Sequence, residues 1–281
     1  MDAYVDTGVY FFKKESIDKS SVFEFEPKAK VNLNSLLNVE FKELDRDNWK
    51  EKEDLKINLN EAENTIFSKL DSINDKLQNH ASTARGILAK KEDYKTEFNT
   101  VSDKKIFIGN INRYKLEEDY LYIEYGNNLK EKPNNYDFFK GERILVRRIV
   151  NRQFRLMATM TDKEFICKKD IYIIKLNNDS LNIKFILGLL NSKLFSYYKT
   201  KNSGSAKKDD FTQITLSDIR QFPLPKATKN QMNKVCKLVS NQILAYSDNG
   251  KIDITIDKKI DHLVYQLYDL TEEEIKIIEN A

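Results

Sequence analysis

A strand pattern loaded with arginine is the feature that most constrains this chain. From Phe139 to Met160 the sequence runs Phe-Lys-Gly-Glu-Arg-Ile-Leu-Val-Arg-Arg-Ile-Val-Asn-Arg-Gln-Phe-Arg-Leu-Met-Ala-Thr-Met. Ile144, Val146 and Arg148 alternate with Leu145, Arg147 and Ile149, the period-two signature of a strand. A second strand carries Phe154, Leu156, Ala158 and Met160, and Asn151, Arg152 and Gln153 form the turn between them. Five arginines, Arg143, Arg147, Arg148, Arg152 and Arg155, fall within this hairpin. A guanidinium presents a planar fork that binds phosphate or a guanine edge through two donors, which a lysine does not. A hairpin with an apolar underside and this guanidinium density is a candidate nucleic-acid reader. The plain alternative is a solvated charged hairpin.

The whole chain carries a net charge of +3, but the charge is segregated. Residues 1–64 hold 10 basic and 15 acidic side chains, residues 138–169 hold 9 basic and 3 acidic, and residues 193–208 hold 5 lysines and no acid. Residues 248–281 return to 4 basic against 9 acidic. A local basic patch steers a polyanion more effectively than a total charge does. At 281 residues and 40% hydrophobic, the chain has enough apolar side chain for a real core. No signal peptide is apparent, and the longest apolar run, Phe185–Leu190, is too short to span a bilayer. The two cysteines, Cys167 and Cys236, stand far apart, which fits a reducing cytoplasm and no disulfide framework. His80 and His262 are too few for a typical zinc site.

Along the chain, Thr7–Phe12 reads as a strand with no partner nearby, and residues 13–60 as an acidic linker with a short strand at Ser21–Phe25. Ala62, Ile66, Leu70, Ile73 and Leu77 recur at helical spacing. The segment Ala84–Tyr94 reads as a loop with Gly86 at a sharp bend, and Arg85, Lys90 and Lys91 within reach of a phosphate. Lys105–Tyr114 reads as a buried strand running into a turn, and strands follow at Tyr120–Gly126, the arginine hairpin, Phe165–Ile166 and Ile171–Leu176. The period then changes. Leu181–Tyr198 places Ile183, Ile186, Leu187, Leu190, Leu194 and Tyr197 on one helical stripe, ending in a Gly/Ser loop with lysines at both ends, Lys199–Lys208. A short strand at Phe211–Thr215 and a helical turn at Leu216–Arg220 precede Phe222-Pro-Leu-Pro225, where two prolines stop helix and ladder alike. Thr228–Gln231 and Thr271–Glu274 are capping boxes, and a further helix lies over Thr255–Tyr268. The fold class expected is α+β: a twisted, mainly antiparallel sheet with packed helices, followed by a C-terminal helical segment.

Catalytic chemistry is sparse. No glycine-rich phosphate loop is present, and no Ser or Cys nucleophile has a histidine in a suitable context. Glu40-Phe-Lys42 has the Glu-x-Lys spacing of magnesium-dependent nucleases, a weak pattern in a chain this rich in Glu and Lys.

Several stretches, in order, resemble the TaqI-like specificity domain, the C-terminal target-recognition region of bacterial N6-adenine DNA methyltransferases and fused restriction–modification enzymes. They are Ile106-Phe-Ile-Gly-Asn-Ile-Asn-Arg-Tyr114, Gly141-Glu-Arg-Ile-Leu-Val-Arg-Arg148, Leu187-Gly-Leu-Leu-Asn-Ser-Lys-Leu194, Ile219-Arg-Gln-Phe-Pro-Leu-Pro225 and Ile260–Glu274. Val5–Lys13 is similar to the last strand of the methyltransferase domain itself. The family's catalytic Asn-Pro-Pro-Tyr and its S-adenosylmethionine loop are absent from the chain.

The resemblance implies a DNA-binding specificity module without catalysis of its own. It divides the chain into a methyltransferase remnant and linker (1–60), an α/β target-recognition domain (61–226) and C-terminal helices (227–281). Its partners would be double-stranded DNA and a methyltransferase catalytic domain in cis or in trans, in a bacterial cytoplasm. S-adenosylmethionine is expected only with that catalytic domain, and no metal or cofactor in this chain. The expected DNA contacts are Arg85, Arg113, Tyr114, Arg143, Arg147, Arg148, Arg152 and Arg155, with Lys199, Lys201, Lys207 and Lys208 as a clamp. The competing expectations are a docking module for a separate methyltransferase or nuclease subunit, and a magnesium-dependent nuclease using Glu40 and Lys42.

Overall fold

The computed structural model describes residues 19–22, 42–45, 61–150, 155–178, 180–202 and 213–281. The chain divides into two compact units, Met1–Asn64 and Thr65–Ala281. In the first, β1 (Lys19–Val22) pairs antiparallel with β2 (Lys42–Asp45), so the span expected to be linker contains a strand pair. The strand expected at Thr7–Phe12 and the residue Glu40 lie outside the described residues; Lys42 opens β2.

Helix α1 (Glu61–Asp71) leads into the second unit, burying Ile66, Phe67 and Leu70. It stops at Asp71, before the Ile73 and Leu77 that extend its pattern. A strand absent from the sequence expectation follows, β3 (Ala81–Arg85), whose small polar Ala-Ser-Thr-Ala gives little strand signal. It joins a four-stranded antiparallel sheet in the order β10 (Ala158–Thr161), β9 (Arg143–Arg147), β11 (Ile171–Leu176), β3.

Both faces of this sheet are covered. Ile144, Val146, Ala158, Tyr172 and Ile174 face a core shared with the helices. Leu145, Ile171 and Ile173 face a second core with Ile106, Phe107, Ile123, Phe139, Phe165 and Ile166. That second core is closed by a smaller sheet, β4 (Tyr94–Lys95), β8 (Tyr120–Glu124) and β5 (Asp103–Phe107). The arginine strand is therefore a central strand buried on both sides, not a hairpin with one solvated face. Such strands read as continuous apolar runs. The connection from β9 to β10 is also longer than a three-residue turn, running from Arg148 to Met157.

The helix expected over Leu181–Tyr198 is two helices, α2 (Ile183–Asn191) and α3 (Lys193–Asn202), broken at Ser192. The break frees Asn191 to face the sheet. Its side-chain amide, fully buried, donates to Ala158 O at 3.0 Å and accepts from Ala158 N at 2.9 Å. Ala158 lies on the outer strand β10, so Asn191 stands where a further strand would pair. Ser192 accepts from Phe195 N and donates to Leu189 O, closing one helix and opening the next.

The Phe-Pro-Leu-Pro segment pairs with residues 75–77. Leu77 N donates to Phe222 O and Leu224 N to Asp75 O, while the two prolines, lacking N–H groups, sit at the alternate positions. Phe222 packs on Phe195 at 4.0 Å between ring centres, and Tyr268 donates its hydroxyl to Pro223 O. Short helix α4 (Leu216–Arg220) precedes this segment; α5 (Lys229–Asn249), α6 (Ile254–Leu267) and α7 (Glu272–Glu279) follow. These C-terminal helices share one core with the sheet, through Val235, Val239, Ile260 and Val264.

Hairpin β6 (Asn110–Asn112) and β7 (Lys115–Glu117) turns at Arg113-Tyr114 and clamps α6 to the sheet edge. Tyr114 has φ +65°, a left-handed conformation that favours glycine. Its N–H donates to Ala158 O, and its ring is buried. Burial pushes the Tyr114 hydroxyl's pKa well up, and among the described residues that hydroxyl has no hydrogen-bond partner. Arg113 donates to both oxygens of Asp257 at 2.9 Å. Arg155 donates to Asn191 O at 2.9 Å and lies 3.7 Å from Asp257 and 3.6 Å from Asp261. Asp261 also accepts from Lys193 N. Arg113, Tyr114 and Arg155, expected at the DNA surface, are thus interior groups that tie α6 to β10.

Gly86 is required by a close approach rather than by a bend. A Cβ there would lie 2.2 Å from Lys168 O and 2.3 Å from Cys167 O, both backbone. Gly86→Ala should destabilise the fold by about 3 kcal/mol in urea unfolding, because the backbone on which it abuts cannot step aside.

Arg113→Ala removes both close hydrogen bonds to Asp257 and leaves it, among the described residues, only Arg155 at 3.7 Å, and should cost about 2 kcal/mol by the same measurement. Burial raises the Asp261 carboxyl to about 6, opposed by the positive charge of Arg155 and the Lys193 N–H. A raised acid binds its proton more tightly when folded. Its stabilising contribution is complete below the unfolded value near 4 and is lost as pH climbs through about 6. Asp261→Asn should therefore flatten the stability profile between those limits, read by unfolding at a series of pH values.

Candidate nucleic-acid interface

Strand ends β9 and β3, and the turn entering β11, converge at one end of the four-stranded sheet. The register places Arg147 opposite Ile171 and Arg85 opposite Tyr172. Arg85 donates to Lys169 O at 2.9 Å, and Arg148 N to Asp170 O at 2.9 Å, so the Lys168–Asp170 turn is held between the two strands. Burial pushes the Tyr172 hydroxyl's pKa up, while the positive fields of Arg148 and Arg85 oppose the rise. The result is a cationic rim of Arg85, Arg147, Arg148, Lys168 and Lys169, with Asp170 as its acidic member.

The guanidinia of this rim differ in freedom. Arg148 is fixed by Asp170 at 3.3 Å and by the Gln213 amide oxygen. Arg147, half-buried, meets among the described residues only the Met157 sulfur at 3.8 Å, a weak acceptor. Its donors remain available to a stronger anion. The rim also roots two segments outside the described residues, 151–154 with Arg152 and 203–212 with Lys207 and Lys208. Ile149 pairs with Gln213, and Ile214 N donates to Arg148 O, so one root of each segment lies against the other.

Three more of the expected contacts need separate placement. Arg143 is fully buried: it lies 4.7 Å over the Phe165 ring and donates to Gly141 O, Lys163 O and Phe165 O. It ties the Gly141 turn to the 163–165 stretch beside the second core. Lys199, expected at the start of the clamp loop, is a buried residue of α3, its ammonium 4.7 Å from the Tyr198 ring centre and 3.7 Å from Asp218. Lys201 is exposed in the last turn of α3. The rim members that sequence reasoning passed over are Lys168, Lys169 and Gln213. The Lys-Lys-Asp turn between two apolar strands was a visible signal for the first pair; Gln213 has none.

A cluster of fixed and unfixed guanidinia, lysines and an amide suits a polyanion with readable edges. Among the described residues there is no group of His, Cys, Asp and Glu that could hold a metal ion, and no helix long and apolar enough to cross a membrane.

Comparison with known proteins agrees with the fold. RM.MjaORFECS2P of Methanocaldococcus jannaschii, named for a type II restriction enzyme and methyltransferase, is 36% identical over 203 residues, which cover 68% of this chain. The match spans 17% of that relative's length. The type IIL restriction-modification enzyme MmeI, solved in complex with DNA, shares the fold over 74% of this chain and 36% of its own, with a TM-score of 0.52 and 11% identity. The HsdS subunit from Thermoanaerobacter tengcongensis aligns over 74% of this chain and 50% of its own, at a TM-score of 0.38 and 12% identity. The family model of the TaqI-like C-terminal specificity domain matches residues 104–224, from the start of the second core to the Phe-Pro-Leu-Pro segment. Residues 104–224 of this chain are a TaqI-like C-terminal specificity domain.

Proposed function

We propose that this chain is a sequence-specific DNA target-recognition module that binds duplex DNA with the cationic end of its central sheet. The observation that carries the reading is the convergence of Arg85, Arg147, Arg148, Lys168 and Lys169 at the roots of segments bearing Arg152, Lys207 and Lys208. Lysines at such a rim set register by neutralising phosphates, and arginine forks read base edges in the major groove. Arg148, held by Asp170 and Gln213, is pre-oriented; Arg147 has the spare donors for a guanine edge. Methyl transfer to adenine, with S-adenosylmethionine, belongs in this reading to a catalytic domain joined in cis or bound in trans, and the module holds the duplex while that domain extrudes the base.

Selection from a randomised duplex pool tests the reading. One enriched sequence supports it, and binding that never exceeds the non-specific level overturns it. Arg147→Ala should cost about 1–3 kcal/mol on the enriched duplex and relax a single base position, measured by fluorescence anisotropy. An equal loss on every duplex reassigns Arg147 to a phosphate. Lys168→Ala combined with Lys169→Ala should lower the slope of log affinity against log salt by roughly 2, about one unit for each phosphate no longer neutralised.

A further inference from the structure

Helices α5 and α6 turn their apolar residues inward, yet an open groove of about 700 Å³ runs between them on the outer side. Lys234 and Lys237 of α5 and Lys258 and Lys259 of α6 rim it, and all four are exposed. Half-buried Leu238 and Leu263 form its floor. Among the described residues no acidic side chain lines it. Helix α6 is the reason: its Asp257 and Asp261 point inward to Arg113 and Arg155, leaving lysines alone outside. Among the described residues, none of the four rim lysines has an ion-pair partner.

The groove is apolar as well as cationic. Ile254, part of its lining, is 70% exposed. Leu244, two turns along α5 from Lys237 and so on the same face, is 61% exposed. These are two of the largest uncovered hydrophobic side chains among the described residues, and uncovered apolar surface rimmed by polar groups marks an interaction site.

We infer that this groove docks an acidic amphipathic helix of a partner protein, its leucine-like residues on Leu238, Ile254 and Leu263 and its carboxylates against the four lysines. A phosphate backbone would satisfy the lysines but gain nothing from the leucine floor, whereas an amphipathic helix in a groove uses both. The inference rests on the two helices alone and is independent of whether the sheet end reads DNA.

The probe is a fluorescein-labelled helical peptide with Leu and Phe on one face and Glu on the others, titrated against the full chain. A counterpart with Lys in place of Glu is the control. The acidic peptide should bind and the basic one should not. Reversing charge at Lys234, Lys237, Lys258 and Lys259 to Glu should weaken binding about tenfold or more, with unchanged circular dichroism. Ile254→Asn, at a position already open to water, should weaken it without altering its salt dependence. Equal binding of both peptides, or binding indifferent to charge reversal, overturns the inference. So does charge reversal that removes duplex DNA affinity in place of peptide affinity. Concentration-dependent dimerisation abolished by Leu244→Asn also overturns it, since the occupant would then be a second copy of the chain.

Discussion

The outer edge of the central sheet carries the N–H and C=O of Ala158, and an edge strand turned toward an apolar helix must find hydrogen-bond partners without water. A buried backbone group left unmatched costs as much as the bond it lacks. Here Asn191 answers with a side-chain amide that has both a donor and an acceptor, meeting Ala158 at 3.0 and 2.9 Å. Much of the surrounding architecture follows from that contact. The helix must break after Asn191, so Ser192 caps both halves. Tyr114 must bring its own N–H to the same carbonyl, which holds the hairpin turn in a left-handed conformation. Arg155 then bonds the Asn191 carbonyl, and through Asp257 and Asp261 the last helices are drawn onto the same seam.

The arginines divide into two trades according to which side of the sheet they meet. Arg143 and the Arg113–Arg155 pair satisfy backbone carbonyls and carboxylates in the interior, where a guanidinium's several donors can bind groups that no lysine would satisfy together. Arg85, Arg147 and Arg148 emerge where the strands end, and there the same chemistry faces outward. Which end of the strand an arginine occupies decides the trade: Arg143, opening β9, is packed over Phe165, and Arg147, closing it, reaches the rim.

Much of the fold was legible in the sequence, because period and punctuation report local structure directly. The capping boxes at Thr228 and Thr271 and the apolar stripe of α2 are where the spacing put them. The α+β class follows from the switch of period after β11. Less legible was whatever depends on what lies across a face. Alternation in Arg143–Ile149 assigned the two faces correctly but not that both are covered, since a second sheet made from residues far away supplies the cover. Strand β3 lacks a propensity signal and is held by its neighbour. Arg113 and Tyr114 were expected to touch DNA, yet they, with Asn191, are what hold the scaffold closed. The motifs that the sequence displays supply scaffold residues, while rim residues such as Gln213 carry no local pattern at all.

The pairing of Ile149 with Gln213 has a consequence for how such a module changes. It fastens the roots of two separate spans, one leaving β9 and one returning to α4, at a single point on the rigid sheet. Closing a longer span between fixed ends costs little, only about 0.6 kcal/mol for each doubling of its length. Insertions and exchanges beyond those roots therefore leave both cores and the Ala158 seam untouched. The sheet end acts as a socket: its wiring is fixed, and a change in the length of either span is absorbed outside it.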